Sequence, residues 1–173
     1  MAITKHAVVR TDNLGGTKNG EQLASVIFYG SDSNPAAIDN GNIVVLGEKL
    51  GREAYKATAP KTGAAIDSLY VIAEEELFYD QTVAHYLTEW VNEAGKVIRA
   101  YSLDSKGGFS VTAEAFTGAD PEVGKLAAFT PDSTKITVQE AAGADEKTFG
   151  TILEKETVGF GDGKYTYYYI GLK

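Results

Sequence analysis

The chain contains no cysteine, a single tryptophan, a single methionine and only two histidines. Without cysteine there is no disulfide, no thiolate metal site and no thiol nucleophile, and the absence fits a reducing cytosol. The histidines, His6 and His85, lie in different segments, which leaves metal centres and acid–base relays short of their commonest residue. No stretch approaches the length of a membrane span, and the start, "MAITKHAVVRTDNL", lacks the long apolar core of a secretion signal. Positive charge is in deficit. Lys and Arg number 16 against 24 Asp and Glu, a net charge of -8, which argues against a nucleic-acid or anionic-membrane surface. These absences together predict a soluble protein, made in a cytoplasm, with neither nucleic acid nor membrane as partner.

What is present is glycine, 19 residues of it, placed between short apolar runs. That is the rhythm of a β protein with many turns. At 173 residues the chain is one domain, and a compact chain of this size buries roughly 70% of its unfolded surface. "KHAVVRT", "LASVIFYG", "IVVLG", "REAYKAT", "SLYVIA", "KVIRAYSL", "GFSVTAEAF", "KLAAFT", "KITVQEA", "GTILEKETV" and "KYTYYYIGL" read as strands. The loops between them are rich in Asn, Asp, Pro and Gly. In "DQTVAHYLTEWVNEAG" the apolar residues Val83, Tyr86, Leu87, Trp90 and Val91 recur at helical spacing, with Asp80 as N-cap and Gly95 as terminator. A short helix is expected there, with an ordered loop as the alternative. The predicted fold is mainly β: a sandwich or barrel-like single domain of about ten short strands with one short helix. Residues 1–20 form an N-terminal arm and first strand, and residues 21–173 the β-rich body.

The glycine cluster near the C-terminus, "GFGDG", invites a phosphate-binding reading and fails it. A Walker-type loop needs a first glycine where Val158 stands and Ser or Thr where Tyr165 stands. A dinucleotide fingerprint needs G-x-G-x-x-G, and this is G-x-G-x-G. The next residues but one, "YTYYYI", make a β run with no helix N-terminus to hold a phosphate. The segment is predicted to be a hairpin turn. Tyr165, Tyr167 and Tyr169 then share one strand face, an arrangement suited to an interface, since tyrosine buries its ring while its hydroxyl stays hydrogen-bonded; an ordinary interior strand with its hydroxyls at the sheet margin is the favoured alternative.

Other candidate chemistry is thin. His85 and Glu89, one turn apart, supply two ligands where a metal wants three or four. Of Glu74, Glu75 and Glu76 at most two share a strand side, and a solvated acidic edge explains them better than a carboxylate pair. The oxygen-rich loop with Asp32, Asn34, Asp39, Asn40 and Asn42 lacks the register and closing Glu of an EF-hand. No G-x-S-x-G elbow occurs. No catalytic, cofactor-binding or metal-ligating residue is assigned, and no enzyme activity is expected.

Charge is also unevenly placed. Residues 66–93 carry Asp67, Glu74, Glu75, Glu76, Asp80, Glu89 and Glu93 with no Lys or Arg, whereas the first twenty residues carry Lys5, Arg10 and Lys18 against Asp12 alone. "DNGNIVVLGE", "GREAYKATAP", "LYVIAEEELFYDQ", "NEAGKVIRAYSL" and "GGFSVTAEAFTG", in that order, resemble small capsid-associated structural proteins of tailed bacteriophages, of the head decoration or cement type. The similarity runs from Arg10 to Gly118 and returns in the C-terminal hairpin. The resemblance implies a virion protein on the phage head, with the major capsid protein and further copies of itself as partners and no cofactor. An extended basic terminus would suit strand addition to the shell. Lys5, Arg10, Lys18, Tyr165, Tyr167 and Tyr169 are therefore the candidate interface residues. The alternatives are a tail or head–tail connector subunit, or a carbohydrate- or surface-binding β module.

Overall fold

The computed structural model describes residues 4–11, 14, 23–79, 85–104, 107–140 and 147–173. They form twelve strands in two sheets, joined by turns and short 3-10 segments. The first sheet closes on itself as a barrel in the order β2 (Leu23–Phe28), β4 (Ala54–Thr58), β3 (Ile43–Leu50), β5 (Leu69–Ile72) and β6 (Ile98–Ser102). Its pairings are antiparallel except β2 with β4. The second has seven strands in the order β1 (Val9–Arg10), β7 (Gly108–Thr112), β12 (Tyr165–Leu172), β11 (Thr148–Val158), β9 (Leu126–Phe129), β10 (Ile136–Gln139) and β8 (Phe116–Gly118).

Two cores result, and they explain the uninterrupted apolar runs. Val44 and Ile72 point into the barrel with Val26, Ala57, Ile98 and Ala100. Ile43, Leu69 and Val71, neighbours of those residues on β3 and β5, turn the other way and pack against Phe109, Phe149, Ile152 and Ile170 of the seven-stranded sheet. Successive strand residues face opposite sides, so a strand sandwiched between two cores must be apolar at every position. Each fully buried side chain of this size stabilises the fold by about 1.5–3 kcal/mol.

The seam between the sheets is closed by the loop before β3. Gly41 has φ 77°, and a Cβ there would lie 2.4 Å from a methyl of Val111, so only glycine lets the loop sit so close. Beside it, fully buried Asn40 donates to the Glu74 carbonyl at 2.8 Å and to Glu76 Oε1 at 2.6 Å. Its own oxygen accepts from the Glu74 amide and from Asn92 Nδ2, both at 3.0 Å. One asparagine thus ties segments 74–76 and 92 to the barrel.

The predicted helix is not there. Asp80 and Val83 lie outside the described residues. Leu87–Glu89 is a single 3-10 turn between the extended residues Tyr86 (ψ 143°) and Trp90 (ψ 135°). The backbone groups that a helix would pair internally have partners elsewhere. The Thr88 carbonyl accepts from the His6 amide at 2.8 Å, the Leu87 amide donates to the Tyr165 hydroxyl at 3.0 Å, and Asn92 exchanges two backbone bonds with Ile38. Strand-like pairing overrides the helical spacing. Elsewhere "GFSVTAEAF" is split by a 3-10 turn at Ala113–Ala115 into β7 and β8. Within stretch 1–20, Ala7, Val8 and Val9 are buried and β1 pairs with β7.

Candidate interaction surface

The C-terminal glycine cluster is a hairpin turn, as its composition requires. β11 and β12 pair antiparallel from Gly150↔Leu172 out to Val158↔Tyr165, with a bulge between Ile152 and Glu154. Their other neighbours stop earlier. β9 accompanies β11 only over Thr148–Thr151, and β7 accompanies β12 only from Tyr167 inward. Glu154, Lys155 and Glu156 thus face Tyr169, Tyr168 and Tyr167, which still pair with β7, and only Thr157–Val158 with Tyr165–Thr166 form a ribbon of two strands; residues 153–160 are all exposed. Thr157 and Thr166 share a hydroxyl contact of 3.2 Å, and Lys155 Nζ stands 5.5 Å over the Tyr168 ring; such cross-strand pairs hold the outer hairpin together.

At the end of this projection the chain turns through Gly159 (φ 100°), where a Cβ would meet the Gly163 carbonyl at 2.1 Å. The turn presents Phe160, 95% exposed, with Val158 (42%) and Leu153 (56%) behind it on β11. An aromatic ring left almost wholly in water at the tip of a two-stranded ribbon contributes nothing to this fold.

Five of the six candidate interface residues separate into two groups. Lys5 and Tyr165 come together in a cleft of about 600 Å³ along one side of the outer hairpin, with Lys155 and Lys164. Lys5, Lys155 and Lys164 make no ion pair among the described residues. Glu89 and Glu114 also line this cleft, and Glu89 already contacts the His85 ring at 3.3 Å. The Tyr165 oxygen accepts the Leu87 amide, which leaves its own proton free to donate. Arg10, Tyr167 and Tyr169 lie elsewhere. Tyr167 and Tyr169 line a smaller hollow of about 160 Å³ with Ser110, Glu154 and Glu156. Arg10 Nη1 donates to Glu156 Oε2 at 2.6 Å, and its guanidinium sits 5.8 Å from the Tyr167 ring centre. That cation has its counter-ion within the fold. Tyr167 is only 7% exposed and serves packing rather than a platform. Lys18 lies outside the described residues.

Phe160, Lys155 and Lys164 were not among the candidates. A phenylalanine between two glycines of a hairpin turn was the available signal, because a turn tip has no interior to bury it in. The oxygen-rich loop disperses. Asp32 caps a local turn through the Asn34 amide (3.2 Å) and side chain (3.0 Å), bonds that hold its carboxyl below the usual range. Asp39 pairs with His6 at 2.7 Å, and Asn40 bonds Glu74 and Glu76. Burial pushes the Glu76 carboxyl upward, opposed by the Asn40 bond. Compared with known proteins, the chain matches no family, no curated protein and no solved structure.

Proposed function

We propose that the chain is a structural protein of a tailed-phage virion, a head decoration protein that binds the major capsid protein through the β11–β12 hairpin. The observation that carries this reading is Phe160, held in water at the tip of a projecting ribbon. Exposed aromatics that fill a partner's pocket are the usual anchors of an interface. Burying one phenylalanine supplies about 1.5–3 kcal/mol, short of the roughly 8 kcal/mol of a micromolar complex. The remainder comes from the outer edge of β11, where alternate backbone groups between Glu154 and Val158 point away from β12 with no neighbouring strand among the described residues. Strand addition along such an edge contributes main-chain hydrogen bonds and sets register. The ammonium groups of Lys5, Lys155 and Lys164 give the rim a sign opposite to that of the whole chain, and rim charge steers docking. The resemblance over Arg10 to Gly118 is to head-associated proteins, which is why the head is proposed before the tail.

The test is quantitative mass spectrometry of purified particles of the source phage. A copy number equal to the major capsid protein, or a simple fraction of it, is the expected result. A handful of copies per particle would move the protein to the tail or connector, and its absence from particles would overturn the reading.

A further inference from the structure

The outer half of β11 has two unlike faces, because successive strand residues point to opposite sides. Glu154 and Glu156 line the small hollow with Tyr167 and Tyr169. Lys155 opens on the other side, into the cleft that also holds Lys5 and Lys164. These three ammonium groups come from the N-terminal stretch, from β11 and from the end of the hairpin turn, so the fold gathers like charges that repel one another. Elsewhere Arg10, Lys56, Lys61, Lys96, Arg99 and Lys125 each lie against a carboxylate. None of the three does so among the described residues, in a chain with 24 acids to 16 bases. The Tyr165 proton, free once its oxygen has accepted the Leu87 amide, adds a further donor to the same cleft.

We propose, resting on the hairpin docking above, that the free edge of β11 takes an extended strand of its protein partner with a carboxylate opposite Lys155. Residues directly opposite across paired strands share a sheet face. A partner side chain opposite Lys155 therefore stands on the side of the cleft, where the unpaired ammonium groups are. A second copy of this chain does not supply it. A two-fold pairing of this edge with its own copy sets residues of one strand face against the same face, and that face carries Lys155 and Thr157 but no acid. A nucleic acid fits no better. Glu89 and Glu114 also line the cleft, so three ammonium groups against two carboxylates leave one positive charge, a match for a single carboxylate. The whole chain, at -8, repels a polyanion.

The probe is a blocked hexapeptide alternating Val and Glu, which as a strand carries every carboxylate on one face. It is titrated into the isotope-labelled full chain and followed by amide chemical shifts. A hexapeptide alternating Val and Lys and a short oligothymidylate are run beside it. Saturable shifts at Glu154–Val158, Lys5 and Lys164 are expected for the Glu peptide alone, on the order of millimolar. Joint Lys155→Gln and Lys164→Gln substitution weakens the binding about tenfold by removing two attracting charges. Joint Arg52→Gln and Lys173→Gln substitution, the same loss of charge at exposed positions elsewhere, leaves it unchanged. Phe160→Ser also leaves it unchanged, because the peptide offers the ring no pocket, so the two proposals fail separately. Particle occupancy lost with Phe160→Ser while the Glu peptide is inert overturns the carboxylate strand and spares the docking. Peptide binding with full occupancy of Phe160→Ser does the reverse. Equal response to the Lys peptide or to oligothymidylate, or equal weakening by the two double substitutions, also overturns the proposal.

Discussion

The two halves of β11 are continuous in sequence and opposite in circumstance. From Thr148 to Ile152 the strand lies between β9 and β12, and only Thr151 is more than marginally exposed; from Leu153 to Val158 it pairs with β12 alone and every residue is exposed. The bulge at Ile152/Glu154 marks the change. Composition follows circumstance. The inner half carries Phe149 and Ile152 at 1% and 0% exposure, and the outer half carries Glu154, Lys155 and Glu156 before returning to Val158. Charged residues along a free edge discourage indiscriminate pairing. The inner half is fixed by the core, whereas the outer half buries no side chain and contributes only surface contacts, Glu156 to Arg10 and Lys155 over Tyr168.

Substitutions on the two halves should therefore separate stability from binding. Phe149→Ala removes a fully buried ring and is expected to cost about 3–5 kcal/mol, read as a lower urea midpoint at unchanged slope. Asn40→Ala acts on the seam rather than the strand. It leaves the Glu74 amide and Asn92 Nδ2 without their acceptor, and about 1–3 kcal/mol should be lost. Gly159→Ala forces a side chain into a left-handed turn already crowded by the Gly163 carbonyl. Roughly 1–3 kcal/mol of strain is expected, confined to the ribbon. Amides of Thr157, Val158, Tyr165 and Thr166 should exchange with solvent faster, while those of Thr148–Ile152 keep their protection. Uniform loss of protection along both halves would mean that the ribbon is not an independent unit.

Two smaller effects sharpen the contrast between buried and exposed charge. The folded-state pKa of Glu76 is raised by burial, so its protonated form is the one the fold favours. Its contribution is complete below the unfolded value of 4.5 and declines as pH rises through the folded one. Glu76→Gln keeps an acceptor for Asn40 without the charge. It should be more stable than the parent near neutral pH, with the difference closing in acid; a difference independent of pH would contradict this assignment. Arg10→Ala breaks a partly exposed pair with Glu156 and should change stability by less than about 1 kcal/mol.

The strand plan was legible because alternation and turn chemistry are local. "IVVLG" and "SLYVIA" announced strands, and "GFGDG" announced a turn. Two things were not legible, for the same reason. Val83, Tyr86, Leu87, Trp90 and Val91 have helical spacing, but the Asn92 side chain bonds Ile38, 54 residues away, and the Leu87 amide bonds Tyr165, 78 residues away. Arg10 reads in sequence as a candidate interface cation, without sight of Glu156, 146 residues away, which lies against it. Long-range partners decide both cases, and one-dimensional spacing carries no record of them. Phe160 is the reverse case. Its exposure was implied by its two glycine neighbours alone.

The most direct test of the account compares purified particles decorated with the parent chain and with Phe160→Ser, counting copies per major capsid protein by quantitative mass spectrometry and measuring urea stability alongside. The account predicts stability unchanged within about 0.5 kcal/mol and particle occupancy largely lost. Equal occupancy of parent and variant would contradict it, because the hairpin tip would then have no part in docking.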